Sequence, residues 1–152
     1  MSYSELKQEI SDIETLLTKL KERLKTTFPT IQEATPGDVL EDGCIVIQKF
    51  DGAALIAAPG LTECRCVWDQ IEPVFNNLAK QGFTPSQWFI PSIEQLCLAY
   101  KVAKQHFSAT NYWSSTEASS TTACSVNFFT GTQGTRSKTL SYCVRAFRLV
   151  TF

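Results

Sequence analysis

The chain has 152 residues, 43% of them hydrophobic and 19% charged, with 14 basic side chains against 15 acidic ones. That length suits one ordinary domain with a short appendage, and 11% aromatic residues with a mean hydropathy of -0.08 exclude a disordered chain. A net charge of -1 leaves no basic footprint for nucleic acid, and no apolar run reaches the roughly 20 residues that span a bilayer.

The first stretch, MSYSELKQEISDIE, is charged and has no apolar h-region, so no signal peptide and synthesis in the cytoplasm are expected. Residues 1–25 carry ten charges, five of each sign, and no Gly or Pro. Tyr3, Leu6, Ile10, Ile13, Leu17, Leu20 and Leu24 follow a 3-4-3-4-3-4 spacing. That spacing predicts a coiled-coil helix with Tyr3, Ile10, Leu17 and Leu24 at a, and Leu6, Ile13 and Leu20 at d. An amphipathic helix lying on its own domain needs a wider stripe, and only Leu16 widens this one. Self-association through residues 3–24 is the expectation, with a trimer favoured. Ile and Leu are mixed at a and d, and Glu9 would face Glu14 of a parallel neighbour, so neither strand number nor orientation is fixed. Residues 26–37, with two prolines and no period, read as a linker.

From 38 to 152 the pattern is mixed α and β, so the fold class expected is α+β. Residues 43–50 and 53–59 are β-rich runs around an Asp51-Gly52 turn. Residues 69–81 read as a helix stopped at Gly82. Residues 92–107 form a second helix, with a Ser92/Gln95 capping box and a stripe of Ile93, Leu96, Cys97, Tyr100 and Ala103 or Val102. Residues 108–139 include 15 Ser or Thr but also Tyr112, Trp113, Phe128 and Phe129, which predicts short strands with polar loops. Residues 124–129 and 142–150 read as two strands joined through a turn region at Gly131 and Gly134. Arg145, among apolar neighbours, is expected to pair with a carboxylate, with Glu117 the candidate.

The six cysteines, at 44, 64, 66, 97, 124 and 143, are expected as reduced, mostly buried thiols. Cys64-Arg-Cys66 has the wrong spacing for a CxxC zinc or redox site, and His106 is the only histidine. No metal and no cofactor are therefore expected. The carboxylates are too scattered for a calcium site, and His106 has no evident nucleophile partner, so no catalytic residue is assigned.

Four segments in order carry a resemblance: GDVLEDGCIVIQKFDGAALIAAP (37–59), WFIPSIEQL (88–96), YWSSTE (112–117) and YCVRAFR (142–148). Together they resemble the Lcl C-terminal domain family, found in bacterial collagen-like adhesins and in phage tail and virion proteins. The resemblance covers about three quarters of the chain and implies a C-type-lectin-like head of two helices, small antiparallel sheets and ligand-presenting loops. Cys124 stands where the family often has an aromatic residue, a departure from its pattern.

The organisation expected is a helix (1–25), a linker (26–37) and a lectin-like head (38–152). The function this implies is that of a bacteriophage virion structural protein, an oligomeric tail-fibre appendage located on the virion. It would contact other virion proteins and attach to a host-surface glycan. Trp113 is the candidate for stacking on a sugar, although a Trp in a short strand is more often core. Asn111, Glu117, Ser119, Thr132, Gln133 and Arg136 are candidate loop contacts. The alternatives are an architectural capsid decoration or baseplate protein without a ligand and, remotely, an oxidase of the formylglycine-generating kind using Cys124 and Cys143.

Overall fold

The structure, a computed structural model, describes residues 1–152 and is α+β: one long helix followed by a head of two sheets and two further helices. Helix α1 (Tyr3–Thr27) starts at a capping box, in which the Ser2 hydroxyl accepts from the Glu5 amide and the Glu5 carboxylate accepts from the Ser2 amide. Glu5 in its first turn and Lys25 in its last complement the helix dipole. None of its residues is buried; the apolar residues Ile10, Ile13 and Leu17 are 50–65% exposed. Thus α1, about 37 Å long, does not lay its apolar stripe on its own head.

Residues 28–37 are tied to the head. Ala34 is buried, the Gly37 amide donates to the Val46 carbonyl, and the Lys49 ammonium donates to the carbonyls of Ile31 and Gln32. A three-stranded antiparallel sheet follows, in the order β1 (Ile45–Phe50), β2 (Ala53–Ala57), β8 (Phe147–Thr151). Gly52, at φ +73°, makes the β1–β2 turn. Both faces of β1 and β2 are covered: Ile45, Ile47, Leu55 and Ala57 join one cluster, while Val46, Ala54 and Ile56 join the other. A strand buried on both faces needs no polar alternation, which explains the continuous apolar runs in these two segments.

The second sheet has the order β3 (Cys64–Cys66), β7 (Tyr142–Val144), β4 (Asn111–Glu117), β5 (Thr122–Asn127), β6 (Gln133–Ser137). Helix α3 (Ile93–Ala103) begins at the Ser92/Gln95 capping box and buries Ile93, Leu96, Ala99 and Ala103; Cys97, Tyr100 and Val102 of the expected stripe are half-buried. Helix α2 (Glu72–Lys80) begins three residues later than expected, with Pro73 in its first turn, and ends before Gly82 at φ +85°.

Three expectations are corrected. Residues 142–150 are not one strand: β7 belongs to the five-stranded sheet and β8 to the three-stranded one, and the chain changes sheets at Arg145-Ala146. Gly134 is not in a turn but within β6, paired with Ser125. Arg145 does not pair with Glu117. Its Nη2 lies 2.7 Å from Glu63 Oε1, its Nη1 donates to the His106 carbonyl at 2.9 Å, and its guanidinium sits 4.1 Å above the Phe107 ring. Glu63 Oε1 also accepts from the Tyr112 hydroxyl, which in turn accepts from the Ser108 amide.

Removing one partner of a buried, hydrogen-bonded ion pair strands the other charge, at a typical cost of about 3–5 kcal/mol. Arg145→Met and Glu63→Met are each expected to lower unfolding stability by about that amount in urea titrations. The double variant Glu63→Met with Arg145→Met is expected to lose less than the two single losses added together. Simple additivity would mean that the pair is not coupled.

Candidate functional site

The six loop residues expected to contact a ligand do not form one site. Across the β4–β5–β6 ribbon, Asn111 pairs with Asn127, and Gln133 pairs with Val126 at the same end. Glu117 and Arg136 both pair with Ala123, toward the other end, beside Ser119. A strand of this length separates the two groups by on the order of 13–17 Å. Most of these side chains already have local partners. Glu117 holds the Lys138 ammonium at 2.9 Å, the Ser119 hydroxyl binds the Thr122 hydroxyl at 2.7 Å, and Thr132 binds Thr130 at 2.8 Å. The Gln133 carbonyl accepts weakly from the Cys97 thiol at 3.7 Å, and Arg136 donates to the Thr135 carbonyl. Asn111 is half-buried.

Trp113 is core. It is 1% exposed, donates its indole N–H to the Cys66 carbonyl at 3.2 Å, and packs on Tyr142 with ring centroids 4.7 Å apart. A ring so enclosed has no free face for a sugar, so Trp113 takes the core role usual for a Trp in a short strand and is not the stacking residue. Its outer edge nevertheless contributes to a cleft that the sequence reading missed. That cleft, of about 780 Å³, is lined by all three tryptophans of the chain, Trp68, Trp88 and Trp113, together with Ile71, Phe75, Phe89 and Ile90. Its polar lining is Asp69, Glu72, Ser114 and Ser115.

The cleft is built from segments distant in sequence. Trp68 follows β3 in a tight turn, where the Gln70 amide donates to the Val67 carbonyl, and its own indole N–H donates to the Ser114 carbonyl at 2.8 Å. The Lys138 ammonium lies 4.3 Å above the Trp68 ring and is held by Glu117 and by the Ser120 carbonyl. The Phe89 amide and carbonyl both bond to Phe147, and the Ser115 amide donates to the Pro91 carbonyl at 2.8 Å. These bonds bring the WFIPS segment against β4 and β8. Trp88 packs edge-on to Phe83 at 5.3 Å, is 5% exposed, and its indole N–H has no hydrogen-bond partner. Trp68 and Phe75 are half-buried, while Asp69, Glu72, Phe89 and Ser115 are exposed at the rim. No basic residue lines the cleft. The only local signal in the sequence was the tryptophan count; spacings of 20 and 25 residues do not announce that three rings converge.

The cysteines are thiols, and the nearest pair, Cys64 and Cys66, has its sulfurs 3.3 Å apart. No three of the His, Cys, Asp and Glu side chains are grouped as a metal site. Burial pushes the Cys66 thiol up to about 12 and raises Cys44, Cys64, Cys143 and the Tyr112 hydroxyl as well, the last helped by its bond to Glu63. His106 sits with its Nε2 3.1 Å from the Gly37 carbonyl. No helix is long and apolar enough to cross a membrane. No protein-family model matches the chain, and no curated protein matches it.

Trp113→Phe leaves the buried Cys66 carbonyl without its donor, whereas Trp88→Phe removes a donor that had no partner. Trp113→Phe is therefore expected to destabilise the chain by about 1–3 kcal/mol more than Trp88→Phe in urea titrations. The raised thiols and Tyr112 stay protonated in the folded chain where the unfolded chain ionises, from about pH 8.5 for a free thiol. The unfolded state then binds fewer protons, so stability is intact below about pH 8.5 and declines as pH rises toward the folded values. Urea midpoints from pH 7 to about pH 11 are expected to show that decline, and a flat profile would contradict it.

Proposed function

We propose that this protein is an oligomeric appendage of a bacteriophage virion, in which α1 joins copies of the chain and the head attaches to a host-surface glycan. The observation that carries the reading is α1 itself. It is a capped helix of 25 residues whose heptad positions Leu6, Ile10, Ile13, Leu17, Leu20 and Leu24 are all exposed. Exposed apolar stripes of that extent mark interaction surfaces. Because the head does not cover this stripe, a second copy or another virion protein is the natural occupant. The head has a C-type-lectin-like fold in this reading, supported by its two helices beside two small sheets and by the four ordered segments of the resemblance. The role is one of binding, without catalysis. Joining copies converts a weak single-site affinity into avidity for a repetitive surface.

The test is solution mass by light scattering, together with binding to bacterial envelope preparations. The full chain is expected at three times its 17.0 kDa monomer mass. Ile13→Glu with Leu17→Glu, on the exposed stripe, is expected to give monomers with an unchanged head by near-UV circular dichroism. The same variant is expected to lose envelope binding by at least about tenfold, the scale on which lost avidity acts. A full-length monomer would remove the self-association reading. Oligomers without affinity for any envelope would instead favour an architectural role on the particle.

A further inference from the structure

We propose that the three-tryptophan cleft binds a small organic cation, an alkylammonium group held against aromatic rings below an acidic rim. This inference goes beyond the appendage reading, because it concerns one head and holds whether or not α1 self-associates.

The argument rests on what the cleft contains and lacks. The rings of Trp68, Phe75 and Phe89 are the partly exposed aromatic surfaces in a space of about 780 Å³, and Trp88 and Trp113 lie beneath them. That size is within the range of small-molecule sites. Ring faces carry negative potential and attract ammonium groups, most strongly at Trp. The two charged residues lining the cleft, Asp69 and Glu72, are both acidic. Glu72 also suits the first turn of α2, but Asp69 lies outside that helix, so helix polarity does not account for the pair.

A neutral sugar would gain from the rings but not from the charge, and an anionic sugar would be opposed by it. Trp68 supplies an internal precedent, since it already carries the Lys138 ammonium 4.3 Å from its ring. Lys138 does not line the cleft, and its charge is met by Glu117 at 2.9 Å. The residues that line the cleft therefore keep an acidic balance, with Lys138 neutralised outside that lining.

Every tryptophan of the chain lines the cleft, so intrinsic fluorescence of the full protein reports on its occupancy without a label. The probes are choline, its uncharged isostere 3,3-dimethylbutan-1-ol, and methyl α-glucoside. Choline is expected to shift the emission saturably and to bind about 2- to 30-fold more tightly than the isostere, the range of a cation–π contact. Added salt is expected to weaken choline and leave the isostere unchanged. Asp69→Asn with Glu72→Gln, both at exposed positions, is expected to weaken choline about 2- to 5-fold per carboxylate with far-UV circular dichroism unchanged.

Equal affinity for choline and the isostere would overturn the proposal and leave an apolar groove. A response to the glucoside with none to choline would overturn it in favour of a neutral saccharide. Choline binding that ignores both salt and the paired substitution would overturn the acidic-rim argument. None of these readouts depends on oligomerisation or on envelope binding, so this inference and the appendage reading fail separately.

Discussion

The ion pair between Arg145 and Glu63 is the constraint on which the head depends. It lies where the chain leaves one sheet for the other, a place where strand pairing cannot supply every hydrogen bond. The guanidinium reaches the carbonyl at the end of the α3 region through His106, the carboxylate of the segment before β3 and the face of Phe107. Tyr112 brings β4 into the same group through Glu63. Arg145 Nε remains without a partner, so the arrangement is incompletely satisfied even in the native state. A buried charge in that position carries a large desolvation cost, which the Glu63 carboxylate and the His106 carbonyl offset only in the arrangement where the chain changes sheets here.

Around this junction the three-stranded sheet acts as a central layer. One face meets α3 and the ring cluster of Phe107, Tyr112 and Phe128; the other meets the cluster that contains Trp88 and Trp113. The cleft is thus the outer margin of a core cluster, and the buried rings at its floor hold the outer ones in place. Preorganisation of this kind reduces the ordering cost of a ligand. The same connectedness makes Trp113 unsuited to direct contact, since its duties lie with Cys66 and Tyr142.

Some of this architecture was legible in the sequence because the signals were local. The Ser92/Gln95 capping box, the Asp51-Gly52 turn and the helical spacing of apolar residues in α1 each lie within a few residues of what they specify. The break at Arg145-Ala146 was not legible, because no Gly, Pro or polar turn cluster separates YCV from FRLV. Strand β6 was hidden for the opposite reason: QGTRS is almost wholly exposed at a sheet edge, and polar edge strands carry no hydrophobic period. The candidate site followed the same rule. Loop composition pointed to residues that the fold divides between two ends of a ribbon, whereas the cleft draws on the turn after β3, α2, the 88–90 segment and β4, and its assembly is a tertiary fact.

Lys49 has a part in how the head is mounted. Its ammonium holds the Ile31 and Gln32 carbonyls just beyond α1 and lies 4.9 Å from the ring of Phe152, while the Phe152 amide is bonded to Gly52. The segment after α1 and Phe152 thus meet at one pole of the head. Tension applied along α1 arrives beside the β2–β8 pairing, whose antiparallel bonds join the last strand to the centre of the head. Pulling on α1 therefore loads the Lys49 contacts first and, next to them, an antiparallel seam of several bonds instead of one loop.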